Sequence, residues 1–276
     1  MKLHVKVLLV GGGVVGASIA YHLQKGGWKD IVLIERDELT SGSTWHAAGL
    51  LPLFNMSYAT SHIHDYSVKF YKKLEKELNT DIGFKVVGNL RMAQTQDRMD
   101  EFMLYSSTAD TVNIPYEWKN PKQIKERWPL VYSEDLKGAI YHPTDGYINP
   151  ADLTQAIARS ARSNDVKIER KTQADSFYWD GNSWHVQCSK MFEKGGNLLV
   201  SQEKITYIAE QVVTATGNHV QNTSKLINTK IAAIPVEHQY IVTEEDPKLI
   251  EYRKNNDEHP VLRDADAKWY LSLIHI

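Results

Sequence analysis

Three glycines and one carboxylate near the start of the chain have the types and spacing to hold a dinucleotide. Gly11-Gly12-Gly13-Val14-Val15-Gly16 matches G-x-G-x-x-G at Gly11, Gly13 and Gly16. In that pattern one glycine makes a tight turn, one lets the backbone approach a pyrophosphate, and one lets helix and strand pack closely. The diphosphate would lie over the N-terminus of a helix opening at Val14 and Val15, where free N–H groups and the helix dipole favour an anion. Glu35 follows at the roughly 20-residue spacing from which an acid accepts hydrogen bonds from an adenosine ribose. An acid there disfavours a 2′-phosphate, so NADP is not expected, while NAD and FAD stay open at this point.

The motif carries weight only if the right elements surround it. Val5 to Val10 is short, apolar and β-branched, as a buried parallel strand should be. A helix is expected from Val14 to Lys25, stopped by Gly26-Gly27. Ile31 to Ile34 reads as the second strand and ends in Glu35. The segment from Val7 to Gln24 has no Asp, Glu, Lys or Arg and follows Lys2 and Lys6, which invites comparison with a signal peptide or a membrane span. Gly11, Gly12, Gly13 and Gly16 interrupt it, whereas a signal core is an unbroken apolar run. The nucleotide reading accounts for every residue, and no targeting extension is expected.

The 276 residues, 42% hydrophobic, can form one large or two modest domains with a real core. A net charge of −2, from 32 basic and 34 acidic residues in no marked block, gives no reason to expect a nucleic-acid or membrane partner. The single cysteine, Cys188, excludes an internal disulfide and a Cys-rich metal site. His62 and His64, two apart on a helix, point to different faces, so no metal is expected there either. They read as ordinary helix or active-site-wall residues. A cytoplasmic location fits these features, or a mitochondrial matrix location if a transit segment is missing.

The run from Arg36 to Leu50 separates NAD from FAD. An NAD domain would resume alternating strands and helices, but small residues and hydroxyls dominate here. Ser43 and Thr44 can bond a diphosphate, and Ala47, Ala48 and Gly49 leave room beside a flat ring system. FAD is therefore the expected cofactor. At these residues the chain resembles the D-amino-acid-oxidase-like flavoproteins. Ser41-Gly42-Ser43-Thr44-Trp45-His46-Ala47-Ala48-Gly49-Leu50 looks like their dimethylglycine and sarcosine dehydrogenase branch. The resemblance implies covalent flavin attachment through His46; the alternative is a histidine that only packs or hydrogen-bonds beside the ring. It also places Arg36, Leu50, Ala174, Thr216 and Gly217 among the cofactor contacts, with Ala215-Thr216-Gly217 passing the diphosphate.

Further elements follow the same reasoning. Helices are expected at Ser57 to Leu78, at Gln96 to Ala109, from Asn120-Pro121 to near Trp128, and from Asn149-Pro150 to Ser163. Strands are expected at Asn89 to Thr95, Leu136 to Tyr141, Val166 to Glu169 and Ile208 to Thr214. Asp145-Gly146 is expected to turn the chain, and Asp180-Gly181-Asn182 and Gly195-Gly196-Asn197 to make tight reversals. Pro235 to Thr243 alternates like a strand, and one later strand is expected to hold Val261-Leu262-Arg263 and Trp269-Tyr270-Leu271. The fold class is α/β with an α+β substrate part. A Rossmann-type FAD-binding domain, 1–88 and 145–225, carries an inserted, mainly antiparallel substrate domain, 89–144 and 226–276.

On the substrate side the resemblance implies His238 and Tyr270 as residues lining the site beside the flavin. Such a pair can take a proton from a substrate ammonium and orient the amine. The alternatives are a cross-strand polar partner for His238 and a core aromatic for Tyr270. The implied reaction is oxidative demethylation of an N-methyl amine such as dimethylglycine or sarcosine by hydride transfer to the flavin N5. Electrons would pass to an electron-transferring flavoprotein or to oxygen, and a folate-binding region often follows in such relatives. Two other readings are a related FAD enzyme acting on another amino acid or on glycerol 3-phosphate, and a non-catalytic regulatory relative. The branch continues past Tyr270-Leu271 with more sheet and a third return to the nucleotide domain. Ser272 to Ile276 therefore reads as an abrupt stop or a foreign tail, which would leave an inactive fragment with an unpaired sheet edge.

Overall fold

The structure is a computed structural model that describes residues 1–271. In chain order the elements begin with β1 (Lys2–Val10), α1 (Val14–Lys25), β2 (Ile31–Ile34), β3 (Leu50–Leu51), α2 (Tyr58–Leu78), β4 (Lys85–Val86), β5 (Asn89–Ala93), α3 (Gln96–Val112), β6 (Glu117–Lys119) and α4 (Pro121–Arg127). They continue with β7 (Gly138–His142), β8 (Gly146–Tyr147), α5 (Pro150–Arg162), β9 (Lys167–Glu169), β10 (Thr172–Trp179), β11 (Trp184–Lys194), β12 (Asn197–Thr214), α6 (Val220–Leu226), α7 (Pro247–Arg253), β13 (Val261–Asp264) and β14 (Trp269–Leu271). No helix among the described residues is long and apolar enough to cross a membrane.

The chain divides into two compact units, 1–47 with 150–239 and 48–149 with 240–276. These divisions differ from the functional boundaries expected at 88/89, 144/145 and 225/226. Residues 48–88 fall in the second unit because β3 and β4 both pair with β8, and α2 lies against α3.

The first unit is a Rossmann-type α/β layer. Its six-stranded sheet has the order β10-β11-β12-β1-β2-β9. β12, β1, β2 and β9 run parallel, and β10 and β11 add an antiparallel extension. β2 is buried at every residue, which is why it reads as a continuous apolar run. α1 ends at Gly26, whose N–H donates to the His22 carbonyl, and α1 packs against α5. Val5, Leu8, Val32, Ile34 and Tyr207 meet in the core. Each such fully buried aliphatic contributes about 1.5–3 kcal/mol.

The second unit centres on a mainly antiparallel sheet, β14-β13-β5-β7-β6, in which only β13 and β5 run parallel. Leu90 and Met92 of β5 face a core with Ile124 and Trp128, while Ala93 joins Phe102 and Tyr105 of α3 on the other face. The expected Asn120 cap forms a full capping box with Gln123, and Pro121 takes the first helical position.

Three expected elements differ. Pro235 to Thr243 belongs to no strand, and residues 232–248 are exposed throughout. Alternation makes a strand only when one face is buried and the backbone finds a ladder, and neither condition is met here among the described residues. The single late strand is instead a hairpin, β13 and β14 paired antiparallel. Asp264 drives this reversal, its carboxylate accepting from the N–H groups of Asp266 and Ala267. The turn expected at Asp145-Gly146 falls at Pro143-Thr144, because Gly146 is held in a ladder with Leu51 and Val86. Ser272 to Ile276, expected as an abrupt stop or a foreign tail, lie outside the described residues.

Candidate functional site

The turn between β1 and α1 gathers most of the residues singled out in the sequence. A Cβ on Gly16 would fall 1.9 Å from the Gly11 carbonyl oxygen, and one on Gly11 would fall 2.4 Å from the Ala215 carbonyl oxygen. Gly11 also holds φ at 115°, where side chains are strained. Only glycine permits this close passage, and it leaves the mouth of α1 clear of side-chain bulk.

Gly13 occupies the N-cap of α1 without a side chain of its own. Thr44 supplies the missing cap from a distant loop, its Oγ1 accepting from the Val14 N–H at 3.0 Å. The N–H groups of Val15 and Gly16 belong to the first turn and have no intrahelical acceptors. They and the dipole of α1 offer donors and a positive potential that suit an anion. Glu35 is held beside it, accepting from the Gly12 N–H at 2.7 Å and from the Asp37 N–H at 2.9 Å. A carboxylate offers about four acceptor positions, so capacity remains for ribose hydroxyls.

Other expected contacts converge on the same turn. The Ala215 N–H donates to the Val10 carbonyl at 2.7 Å, and a Cβ on Gly217 would lie 3.9 Å from the Ser43 hydroxyl. Thr216 bonds Thr223 of α6. The Thr172 N–H donates to the Glu35 carbonyl at 2.8 Å. That bond ties β10 to the acid, and Ala174 stands two residues further along the same strand. Thr44 is buried, and the loop then emerges into solvent with Trp45, His46 and Ala47 exposed. Ala48, Gly49 and Leu50 are half-buried and begin the second unit. Arg36 is exposed at the end of β2.

His219 was not singled out by the sequence reading. Burial and the Arg36 charge hold its imidazole below the ordinary histidine value, with Glu35 opposing them. It therefore lies within electrostatic reach of both. Its only sequence signal is its place two residues after Gly217.

The two expected substrate-side residues fall in different units, His238 in the first and Tyr270 in the second. His238 sits on the exposed, unpaired segment, and Tyr270 is 40% exposed on β14.

The second unit also buries a polar cluster that the sequence reading missed. Asp145 is 0% exposed, and both its oxygens accept from the Leu53 N–H at 3.2 Å. Burial pushes its carboxyl up to about 8, against the Leu53 bond and the Arg91 charge. His142 bonds the Tyr105 hydroxyl at 3.0 Å, and burial together with Arg91 pushes its imidazole down to about 3. The Arg91 guanidinium stacks 4.1 Å over the ring of Phe54. A charged residue inside the apolar strand Asn89–Ala93 was the available signal. No group of three or more His, Cys, Asp or Glu among the described residues is placed to hold a metal.

This geometry fits the adenosine diphosphate half of FAD. The cradle exists only with glycine at Gly11 and Gly16, a helix N-terminus faces it, and a positioned acid stands at its side. Comparison with known proteins agrees. Residues 6–273 match the DAO family, described as FAD dependent oxidoreductase. The chain is 36% identical over 269 residues to dimethylglycine dehydrogenase, mitochondrial, of Rattus norvegicus, covering 96% of this chain and 29% of that one. It is 34% identical to the pyruvate dehydrogenase phosphatase regulatory subunit, mitochondrial, of Mus musculus, covering 96% of this chain and 28% of that one. The chain thus spans under a third of the length of these relatives. Among solved structures, L-proline dehydrogenase from P. horikoshii superposes with a TM-score of 0.76 at 22% identity, covering 96% of this chain and 65% of that one. The glycine cradle, the placed acid and the family match over nearly the whole chain lead to one assignment: this chain belongs to the DAO family of FAD-dependent oxidoreductases.

Proposed function

We propose that the protein to which this chain belongs oxidatively demethylates N-methyl amino acids such as dimethylglycine or sarcosine, with FAD attached through His46. The observation that carries this reading is the placement of His46. Its imidazole is exposed two residues beyond Thr44, whose hydroxyl is anchored on the first N–H of α1. The likeness to dimethylglycine dehydrogenase over 96% of the chain supports the same substrate class. Bound FAD supplies the two-electron acceptor. The chain's own part is to hold the diphosphate on α1, to accept the ribose hydroxyls at Glu35, and to present His46 at the end of an ordered loop. Residues 1–88 and 145–225 serve the cofactor in this reading, and 89–144 with 226–276 the substrate. His238 would take the ammonium proton of the amine and Tyr270 would orient it. Electrons would leave to an electron-transferring flavoprotein or to oxygen. The names of the relatives favour a mitochondrial location over a cytoplasmic one.

Acid precipitation of the purified protein tests the attachment. Flavin is expected in the pellet of the wild type and in the supernatant for His46→Ala, which should keep some bound FAD; flavin wholly in the wild-type supernatant would refute the covalent bond. A second reading, a regulatory protein that keeps the fold without the oxidation, is favoured by the 34% identity to the phosphatase regulatory subunit. Anaerobic addition of dimethylglycine or sarcosine separates the two. Bleaching of bound flavin supports the oxidation, and flavin that stays oxidised supports the regulatory role.

A further inference from the structure

Little of the surface of α2 is used to hold it to the second unit. Of its 21 residues only Ser61 and Leu74 are buried. In the same unit α3, with 17 residues, buries Phe102, Tyr105, Ala109 and Val112. α2 is therefore a rod about 31 Å long that presents most of its circumference to solvent.

That exposed surface is not uniformly polar. Ala59, Ile63, Tyr66 and Phe70 recur at helical spacing, so they fall on one line along α2. Ile63 is 64% exposed and Tyr66 56%, and the Tyr66 ring stacks on that of the half-buried Phe70. Single exposed apolar residues are ordinary on any protein. A line of them normally faces the core, and here Ile63 and Tyr66 face away from it.

Positive charge runs beside this line. Lys69 follows Tyr66 by three residues and Lys73 follows Phe70 by three, which makes them neighbours on the helix surface. Lys72 and Lys76 add exposed charge further round. Asp65 directly precedes Tyr66 and Glu75 stands five residues after Phe70, spacings that turn both acids away from the line. Glu77 closes the line at its C-terminal end. Lys69 meets Asp65 at 2.7 Å and Lys73 meets Glu77 at 3.2 Å, yet the two lysine side chains stay 75% and 73% exposed. Exposed pairs of this kind are weak, so both ammonium groups can turn to another anion. The net charge of −2 for the whole chain averages this local arrangement away.

We propose that α2 lies on the surface of an anionic phospholipid bilayer, with Ile63, Tyr66 and Phe70 at the boundary of headgroups and acyl chains and Lys69 and Lys73 on the headgroup phosphates. An apolar line flanked by lysines is the pattern of a helix that lies in the interface plane. Tyrosine suits that depth, because its ring is apolar and its hydroxyl reaches water. The lysine stems cover apolar surface while their ammonium groups reach the phosphates. A convex rod sinks into a bilayer that deforms around it, whereas a protein partner would need a matching groove. α2 lies on the membrane in this proposal and does not cross it, in keeping with the absence of a membrane-spanning helix among the described residues. The proposal does not depend on which reaction the protein catalyses.

The test sediments the flavin-loaded full-length protein with vesicles of phosphatidylcholine alone and of phosphatidylcholine with phosphatidylglycerol in equal parts. At low ionic strength the wild type is expected to bind the mixed vesicles, to bind the neutral ones far less, and to be released by added salt. Each lysine lost should weaken binding to the mixed vesicles about fivefold, so Lys69→Gln with Lys73→Gln should weaken it about twentyfold or more. Ile63→Ser should weaken it about tenfold. These side chains are exposed, so both variants should melt with the wild type. The proposal is overturned if the wild type stays in the supernatant with the mixed vesicles, if it binds both kinds alike, or if either variant binds as the wild type does. Light scattering without lipid identifies the other occupant. A dimer that Ile63→Ser splits, in a protein that binds no vesicles, assigns the line to a second copy of the chain and rejects the bilayer.

Discussion

The glycine turn of the first unit and the buried polar cluster of the second handle charge in opposite ways. At Gly11, Gly13 and Gly16 the chain removes side chains and lets backbone N–H groups and a helix dipole meet the anion. At Arg91 the second unit carries a full charge into a sheet and holds it against the ring of Phe54, within electrostatic reach of His142 and Asp145. The first device costs little, because main-chain donors at a helix start are unsatisfied in any case. The second imposes a standing electrostatic cost, visible in the displaced ionisation of Asp145, His142 and Arg91. The two units should therefore answer differently to added volume and to pH.

Added volume should give the largest effect. Gly16→Ala places a methyl 1.9 Å from a backbone oxygen, which no rotamer change can relieve. Overpacking costs about 1–3 kcal/mol and occasionally more, and a rigid backbone neighbour puts this site at about 3 kcal/mol. The substitution should lower the melting temperature and reduce the flavin that the purified protein retains, since 1.4 kcal/mol is already tenfold in binding. A Gly16→Ala protein with full flavin would show that the turn can widen, and the contrast between the units would weaken.

The pH dependence should belong to the second unit. Asp145 has a folded value near 8 against 3.8 for the free group, so between those values the folded state holds a proton that the unfolded state has lost. Stability falls as pH rises across that window. His142 has a folded value near 3 against 6.5, so between those values the unfolded state binds the extra proton and stability rises with pH. The two slopes oppose each other where the windows overlap. What remains is a plateau up to about pH 6.5, then a decline toward pH 8 of up to about 1.4 kcal/mol per pH unit, about 2 kcal/mol in all. Asp145→Asn keeps an oxygen acceptor for the Leu53 N–H and should abolish the decline. Denaturant titrations at pH 6 and 8 measure it, and equal losses in wild type and variant would remove Asp145 as the cause.

The same contrast explains what could be read from the sequence. The β1-α1-β2 unit was legible because its determinants are local: an apolar strand, spaced glycines, a helix stop and an acid within one stretch. The Asn120 cap and the reversals between β10, β11 and β12 were legible for the same reason. The cluster of Arg91, His142 and Asp145 was not, because it forms only in the pairing of β5 with β7 and of β3 with β8, between distant parts of the chain. Asp145 stands in an expected turn, yet the turn falls two residues earlier because Gly146 is claimed by ladders with Leu51 and Val86. The strand expected at Pro235 to Thr243 failed in the reverse sense. Its local alternation was right for a strand, but alternation does not reveal whether a partner lies alongside.

The smallest expected effect tests a single long-range support of the glycine turn. Thr44 lies thirty residues beyond Val14 in the chain, yet its hydroxyl accepts the Val14 N–H at 3.0 Å. Gly13 cannot cap α1 itself, so Thr44 does the work of an N-cap side chain. Thr44→Val keeps the shape and removes the acceptor, leaving a part-buried N–H unpaired. Such a loss costs about 1 kcal/mol in stability. Thr44→Ser restores the acceptor and should recover most of it, which separates the hydrogen bond from the packing of the methyl group. If the turn depends on local chain geometry alone, Thr44→Val and Thr44→Ser will melt together with the wild type. If the cap from Thr44 is part of the cradle, Thr44→Val alone will lose stability, and it will carry less flavin as purified, because the first turn of α1 will no longer be held in place under the diphosphate.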